Sequence, residues 1–138
     1  MDSRLITPFR VLRYAFGLMA LLAGLDKFFN ILADWGSYVS PAAASMLPVP
    51  VSTFLAIVGV IEVGVGVLIL FAAPRIGAYV ASAWLLLVAA NLALGMHFDI
   101  AVRDVVMSIA AFALARELEV EAATTVRPVS SRTHTVTA

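Results

Sequence analysis

Two stretches of this chain, residues 51–73 and 76–98, are almost free of charge. The first carries only Glu62, and the second carries no charge unless His97 is protonated. At about 1.5 Å of helix rise per residue, either stretch crosses a hydrocarbon core about 30 Å thick. With 62% of its 138 residues hydrophobic and only 13% charged, the chain lacks the polar residues a water-facing surface needs. Its natural solvent is a bilayer. Basic and acidic residues balance to a formal charge of +0, so no basic field points to nucleic acid. The absence of cysteine excludes a disulfide scaffold, a thiol redox pair and a thiolate metal site. His97 and His134 are the only histidines, and His134 lies in a polar tail, which argues against a haem held by two histidines between helices.

Two further segments are apolar but shorter. Residues 14–25 and 105–115 span only if the charges at Asp26-Lys27 and Arg103-Asp104 enter the membrane with them. The segments then become roughly 12–32 and 98–116, and the expected fold is an all-α, four-helix transmembrane bundle. Arg4, Arg10 and Arg13 resemble the basic start of a secretory leader, but no small-x-small cleavage site follows and three more apolar segments do. The reading is a retained first helix. Arg4, Arg10, Arg13, Arg75, Arg116, Arg127 and Arg132 all fall on one side if both termini are cytoplasmic, leaving Lys27 and Arg103 toward the other. The expected location is therefore the plasma (inner) membrane, multi-pass, with both ends inside. Residues 1–10 form a cytoplasmic segment, 11–116 the membrane domain, and 117–138 a disordered tail that is rich in Thr, Ser and Val and has no helical period. The external connection 34–50 offers Trp35 and Tyr38 to the membrane interface. Pro41, Pro48 and Pro50 break helix there, with a short surface-lying helix expected before Pro48.

The basic residues also serve as rulers. Asp26 lies thirteen residues past Arg13, Glu62 thirteen before Arg75, and Arg103 thirteen before Arg116. All three therefore sit roughly 20 Å from the inner boundary. Lys27 and Asp104 are one position away, and Asn91 lies somewhat nearer the outside. Asp26, Lys27, Glu62, Asn91, Arg103 and Asp104 thus form a candidate polar layer in the outer half of the bundle. A charge near mid-membrane costs at least about 2.5–3.5 kcal/mol, so it turns inward and finds a partner. The expected pairs are Asp26 with Arg103 and Lys27 with Asp104, or the reverse, with Glu62 left over. Stripes of small residues accompany the charges: Gly17, Ala20 and Gly24 with Lys27, and Gly59 and Gly66 with Glu62. Ala81, Val88, Asn91 and Gly95 align similarly on the third helix, and Arg103, Met107, Ala110 and Leu114 on the fourth. The layer is a clasp that fixes helix register, a pocket open to the outer side that binds a small ligand with the same groups, or a proton or ion path, although a path would want acids at several depths and the inner half has none.

No catalytic signature accompanies it. There is no Ser-His-acid set, no glycine-rich phosphate loop and no metal-ligand spacing; His97 and Asp99 lack a third ligand. His97 reads as an interfacial residue and Trp84 as packing.

The stretches GLMALLAGLDKFFN, LPVPVSTFLAIVGVIEVGVGVLIL and FDIAVRDVVMSIAAFALAREL are similar to the DoxX-like family of small four-helix membrane proteins, over about residues 10–118. Gly24 with Asp26-Lys27-Phe28, the Gly59-x-x-Glu62 element, and Asp99 followed by Arg103-Asp104 carry the resemblance. It implies a four-helix bundle and association with oxidoreductase or other membrane complexes. The family's relatives that perform thiol redox chemistry carry cysteine pairs, which this chain lacks. The leading expectation is a non-catalytic accessory or scaffold subunit of a membrane complex, with no resident cofactor and with other membrane proteins or further copies of itself as partners. The rival is an oxidoreductase subunit that binds quinone or another small molecule at the polar layer, and a small transporter ranks third.

Overall fold

The computed structural model of the protein describes residues 3–126, which are all helical apart from connections. Helix α1 runs over Ser3–Asp26, α2 over Pro41–Met46, α3 over Val51–Val67, α4 over Pro74–Leu94 and α5 over Phe98–Val126. Three helical stretches, Thr7–Asp26, Val51–Ala72 and Pro74–Leu94, are long and apolar enough to cross a membrane, which marks the chain as a membrane protein.

Helices α1 and α3 form one tight antiparallel pair, and α4 and α5 form another. The first pair meets through glycine. A Cβ on Gly24 would come within 2.7 Å of the Gly59 carbonyl oxygen, and one on Gly66 within 2.9 Å of the Gly17 carbonyl oxygen. The two helices thus touch backbone to backbone at contacts seven residues apart, an approach that side chains would prevent. The second pair is closed by two serines that bond reciprocally. Ser82 Oγ donates to the Ser108 carbonyl at 2.9 Å, and Ser108 Oγ donates to the Ser82 carbonyl at 2.7 Å. The two pairs join in an apolar core of Phe16, Val65, Ile69, Ala78, Ala81, Ala111, Leu114 and Ala115, with Phe9, Leu12 and Leu118 packed around it. This core lies toward the end of the bundle that holds the first turns of α1 and the last turns of α5, called the terminal end below.

Several boundaries differ from the sequence expectation. Helix α1 starts at Ser3, so residues 3–10 belong to it rather than to a separate segment. It ends at Asp26 and not near residue 32, because the Asp26 carboxylate accepts the backbone N–H groups that follow and the chain turns through Asn30 at φ 51°. The second apolar stretch finishes as a π turn, Leu68–Ala72, before Ala73 breaks the helix and Pro74 opens α4. Helix α4 closes at Leu94, where Met96 adopts φ 65°.

The expected disordered tail is helical to Val126. LEVEAA is made of good helix formers, Arg116 pairs with Glu119 one turn on, and Leu118 packs against the core. Residues 127–138 of that tail lie outside the described residues.

The helix end leaves the Ile69 and Leu70 carbonyls open, the π turn having drawn the Ala73 N–H to Leu68 and Pro74 having no N–H to give, and Arg13 takes both. Its Nε donates to the Ile69 carbonyl and its terminal nitrogen to the Leu70 carbonyl, each at 2.8 Å. The residue used as a ruler for the membrane boundary is therefore also a strut between α1 and the end of α3. Arg13→Met should lower stability by about 1–3 kcal/mol in a detergent melt, the cost of leaving such acceptors unmet. Arg10→Met, which breaks no such bond, should change it by less than about 0.5 kcal/mol.

Candidate functional site

The polar layer begins where α1 ends. Asp26 lies at the last residue of α1, buried, an unfavourable place for an acid with respect to the helix dipole. Its carboxylate is offset by donors from the following loop: the N–H groups of Ile31 at 2.9 Å, Leu32 at 2.8 Å and Ala33 at 3.4 Å, and the Trp35 indole N–H at 2.9 Å. Asp26 is the anchor on which the long connection folds.

Lys27 points to α3. Its Nζ meets Glu62 Oε2 at 2.5 Å, with the two side chains only 6% and 12% exposed. The same ammonium lies 3.9 Å from the centroid of the Trp35 ring, a cation–π contact. The second Glu62 oxygen accepts the Trp84 indole N–H at 3.2 Å. A chain of contacts therefore runs from α1 through α3 to α4, and Trp35 ties it back to Asp26. It crosses between the two helix pairs toward the loop end.

Asn91 holds the loop from the α4 side. Its amide nitrogen donates to the Tyr38 carbonyl at 2.7 Å, and its oxygen accepts the Ser40 N–H at 3.0 Å. Ser40, itself buried, caps α2 by accepting the Ala43 N–H at 3.1 Å. Tyr38 stands edge-on to His97 at 5.4 Å between ring centroids. His97 is thus packed against the loop, with its Nδ1 buried and without a hydrogen-bond partner.

The structure corrects the expected pairing. Neither Asp26 nor Lys27 pairs with the charges of α5: Asp26 is satisfied by the loop and Lys27 by Glu62, which is therefore not left over. The buried face of α5 is Ala101, Asp104, Ser108, Ala111, Leu114 and Ala115, one position round from the expected stripe, so Arg103 turns outward and is exposed. Asp104 is buried on the seam with α4 and makes no hydrogen bond or ion pair among the described residues. Trp84 is a donor to the layer rather than packing alone. Its signal was available, since a buried indole N–H needs an acceptor. Ser82 and Ser108 escaped sequence reading because lone serines in apolar helices are common, and only their facing positions make the clasp. Among the described residues no three His, Asp or Glu side chains group as metal ligands.

Fold and layer together define a helical membrane protein in which one ion pair of low exposure and two indoles knit the elements. No known family model, curated protein or solved structure matches the chain.

Proposed function

We propose that the protein is a DoxX-like, four-pass protein of the plasma membrane with both termini cytoplasmic, acting as a non-catalytic scaffold or accessory subunit of a membrane complex. The observation that carries this reading is that four of the six groups of the polar layer close on partners within the chain. Both Glu62 oxygens, the Lys27 ammonium, the Asp26 carboxylate and the Asn91 amide are engaged within the chain. A site for quinone or another polar substrate would hold such groups open toward a cavity; here they brace helices.

Two features favour the finer points. Helix α5 packs along α4, with Val102, Val106 and Ile109 exposed on its other face, a surface suited to lipid or to a neighbouring helix and hence to a fourth crossing. Arg10, Arg13 and Arg75 line cavities at the terminal end, which favours the cytoplasm for that side. Exposed Arg103 beside that apolar α5 face is costly in contact with lipid, and an acidic or polar group on a partner subunit would relieve it.

Native mass spectrometry after gentle extraction should find the protein in stoichiometric association with another membrane protein or with further copies of itself. Recovery as a lone chain would overturn the subunit reading. Recovery with one retained small molecule and no protein partner would favour the quinone-binding alternative.

A further inference from the structure

Helices α1 and α3 end unevenly at the loop end. Gly24 meets Gly59 and Gly17 meets Gly66, which fixes the register of this antiparallel pair. Past Gly24, α1 has only Leu25 and Asp26, a rise of about 3 Å. On its partner, eight residues from Val51 to Val58 lead up to Gly59, about 12 Å of helix. Helix α1 therefore stops about 9 Å short of the loop-side end of α3. Those turns of α3 belong to the apolar stretch Val51–Ala72, which is long enough to cross a membrane. The chain thus leaves α1 while still at the depth of the loop-end leaflet.

Irregular backbone is normally excluded from lipid, because its N–H groups would find no acceptor there. Here every N–H from Phe28 to Ala33 is bonded within the protein. Phe28 donates to the Leu25 carbonyl at 3.1 Å, and Phe29 and Asn30 donate to the Asp26 carbonyl at 2.9 and 2.7 Å. Ile31, Leu32 and Ala33 donate to the Asp26 carboxylate. Asp26 alone thus takes five of these six donors, two on its carbonyl and three on its side chain. The side chains are left out of this closure. Phe28, Phe29, Ile31 and Leu32 are 49–81% exposed, and no charged residue lies between Phe28 and Ala33. Leu18, Leu22 and Leu25, exposed on α1 at helical spacing, run directly up to them. Asn30 makes the turn at φ 51°, a conformation that asparagine adopts more readily than most residues.

We propose that residues 28–33 form a lipid-embedded elbow, a non-helical segment whose four large apolar side chains enter the acyl chains of the loop-end leaflet and complete the crossing that α1 leaves short. Asp26 permits this by doing for the N–H groups what water does for an ordinary loop. The carbonyls of the elbow accept none of the bonds above, and that sets its depth. Its side chains reach the acyl chains while its carbonyls stay at the headgroup boundary, where water and lipid donors meet them. The turn that follows, Trp35–Tyr38, carries the aromatic residues that gather at that boundary. The elbow also gives the buried Asp26 a purpose beyond bracing helices. The inference requires only that the protein crosses a membrane, so it stands or falls apart from the scaffold reading.

The chain has no cysteine, so a single introduced one takes a nitroxide spin label at a known place. Phe29→Cys, Ile31→Cys and Leu32→Cys report on the elbow, Leu22→Cys on the α1 face below it and Ser37→Cys on the turn beyond it; all five positions are exposed, so the labels leave the packing alone. The full-length protein is placed in vesicles of phosphatidylcholine and phosphatidylglycerol. Collisions of each label with oxygen, which concentrates in hydrocarbon, are compared with collisions with a polar nickel chelate, which hydrocarbon excludes. The oxygen-to-nickel ratio at positions 29, 31 and 32 should match that at 22 and exceed that at 37 at least ~5-fold. A ratio like that at 37 would put the segment in water, and few collisions with either reagent would put it under protein; each overturns the proposal. Asp26→Ala removes the side-chain acceptor and should raise nickel access at 31 and 32 at least ~2-fold while position 22 stays as it was. Unchanged access at 31 and 32 would overturn the part given to Asp26.

Discussion

Lys27→Met should be among the most damaging single substitutions in this chain. It leaves Glu62 buried with one indole N–H as its remaining partner, and an uncompensated buried charge costs about 3–5 kcal/mol. Glu62→Leu should lose a similar amount from the other side, stranding an ammonium with only the Trp35 ring. The double variant removes both charges and supplies apolar volume in their place, so it should recover much of the loss rather than add to it. Reversible melts in detergent of the four proteins of this cycle give the coupling directly. A coupling above about 2 kcal/mol is expected for groups in such contact. The cycle of Asp26→Asn with Arg103→Gln is the counterpart, and its losses should add, because Arg103 faces outward and Asp26 is held by the loop. Coupling in the second cycle and additivity in the first would mean that the helices are rotated from the arrangement described.

That contrast shows what could be read from residues alone. Depth was legible: helix rise is fixed, so counting from Arg13 and Arg75 is enough to level Asp26 with Glu62. Azimuth was not. Asp26 and Lys27 are adjacent and therefore about 100° apart around the axis, as are Arg103 and Asp104. An error of one position in the interface stripe exchanges which charge is buried, and on α5 it did. The small-residue stripe Gly17, Gly24, Gly59 and Gly66 was legible because a glycine repeated at helical spacing leaves few other uses in an apolar helix. The end of α1 was not, since no proline or glycine follows Asp26 before Gly36. Only the folded loop reveals that the carboxylate collects its N–H groups. The extension of α5 past Arg116 was hidden by the polar composition of the tail, although the local sequence favours helix as far as the threonines. The closed condition of the layer depends on which oxygen of Glu62 meets which donor, and no count of charges reports that.

Gly24→Val should prevent α1 and α3 from pairing as they do. At Gly24 even a methyl group would lie 2.7 Å from the Gly59 carbonyl oxygen, 2.8 Å from the Val63 nitrogen and 2.9 Å from the Glu62 Cβ. Two of these neighbours are backbone atoms of a helix and cannot step aside as a flexible side chain can. Gly24→Ala should therefore cost about 1–3 kcal/mol by overpacking, and Gly24→Val more, since its branch enlarges the group at the point of contact. The damage reaches the polar layer. Lys27 is one turn along from Gly24, and its Cβ lies 3.2 Å from where a Cβ on Gly59 would be, so spreading the helices there draws Lys27 away from Glu62. Gly24→Val should accordingly lose most of the coupling measured between Lys27 and Glu62, a readout that general destabilisation would leave intact. Gly64→Ala is the internal control, on the same α3 but with nothing within 4 Å of the added methyl. It should be neutral or stabilising by about 0.5–1 kcal/mol, because alanine loses less backbone freedom than glycine on entering a helix. If Gly24→Ala melted like Gly64→Ala, the backbone contact between α1 and α3 would not exist as described, and the Lys27–Glu62 pair would lose the close approach on which its geometry depends.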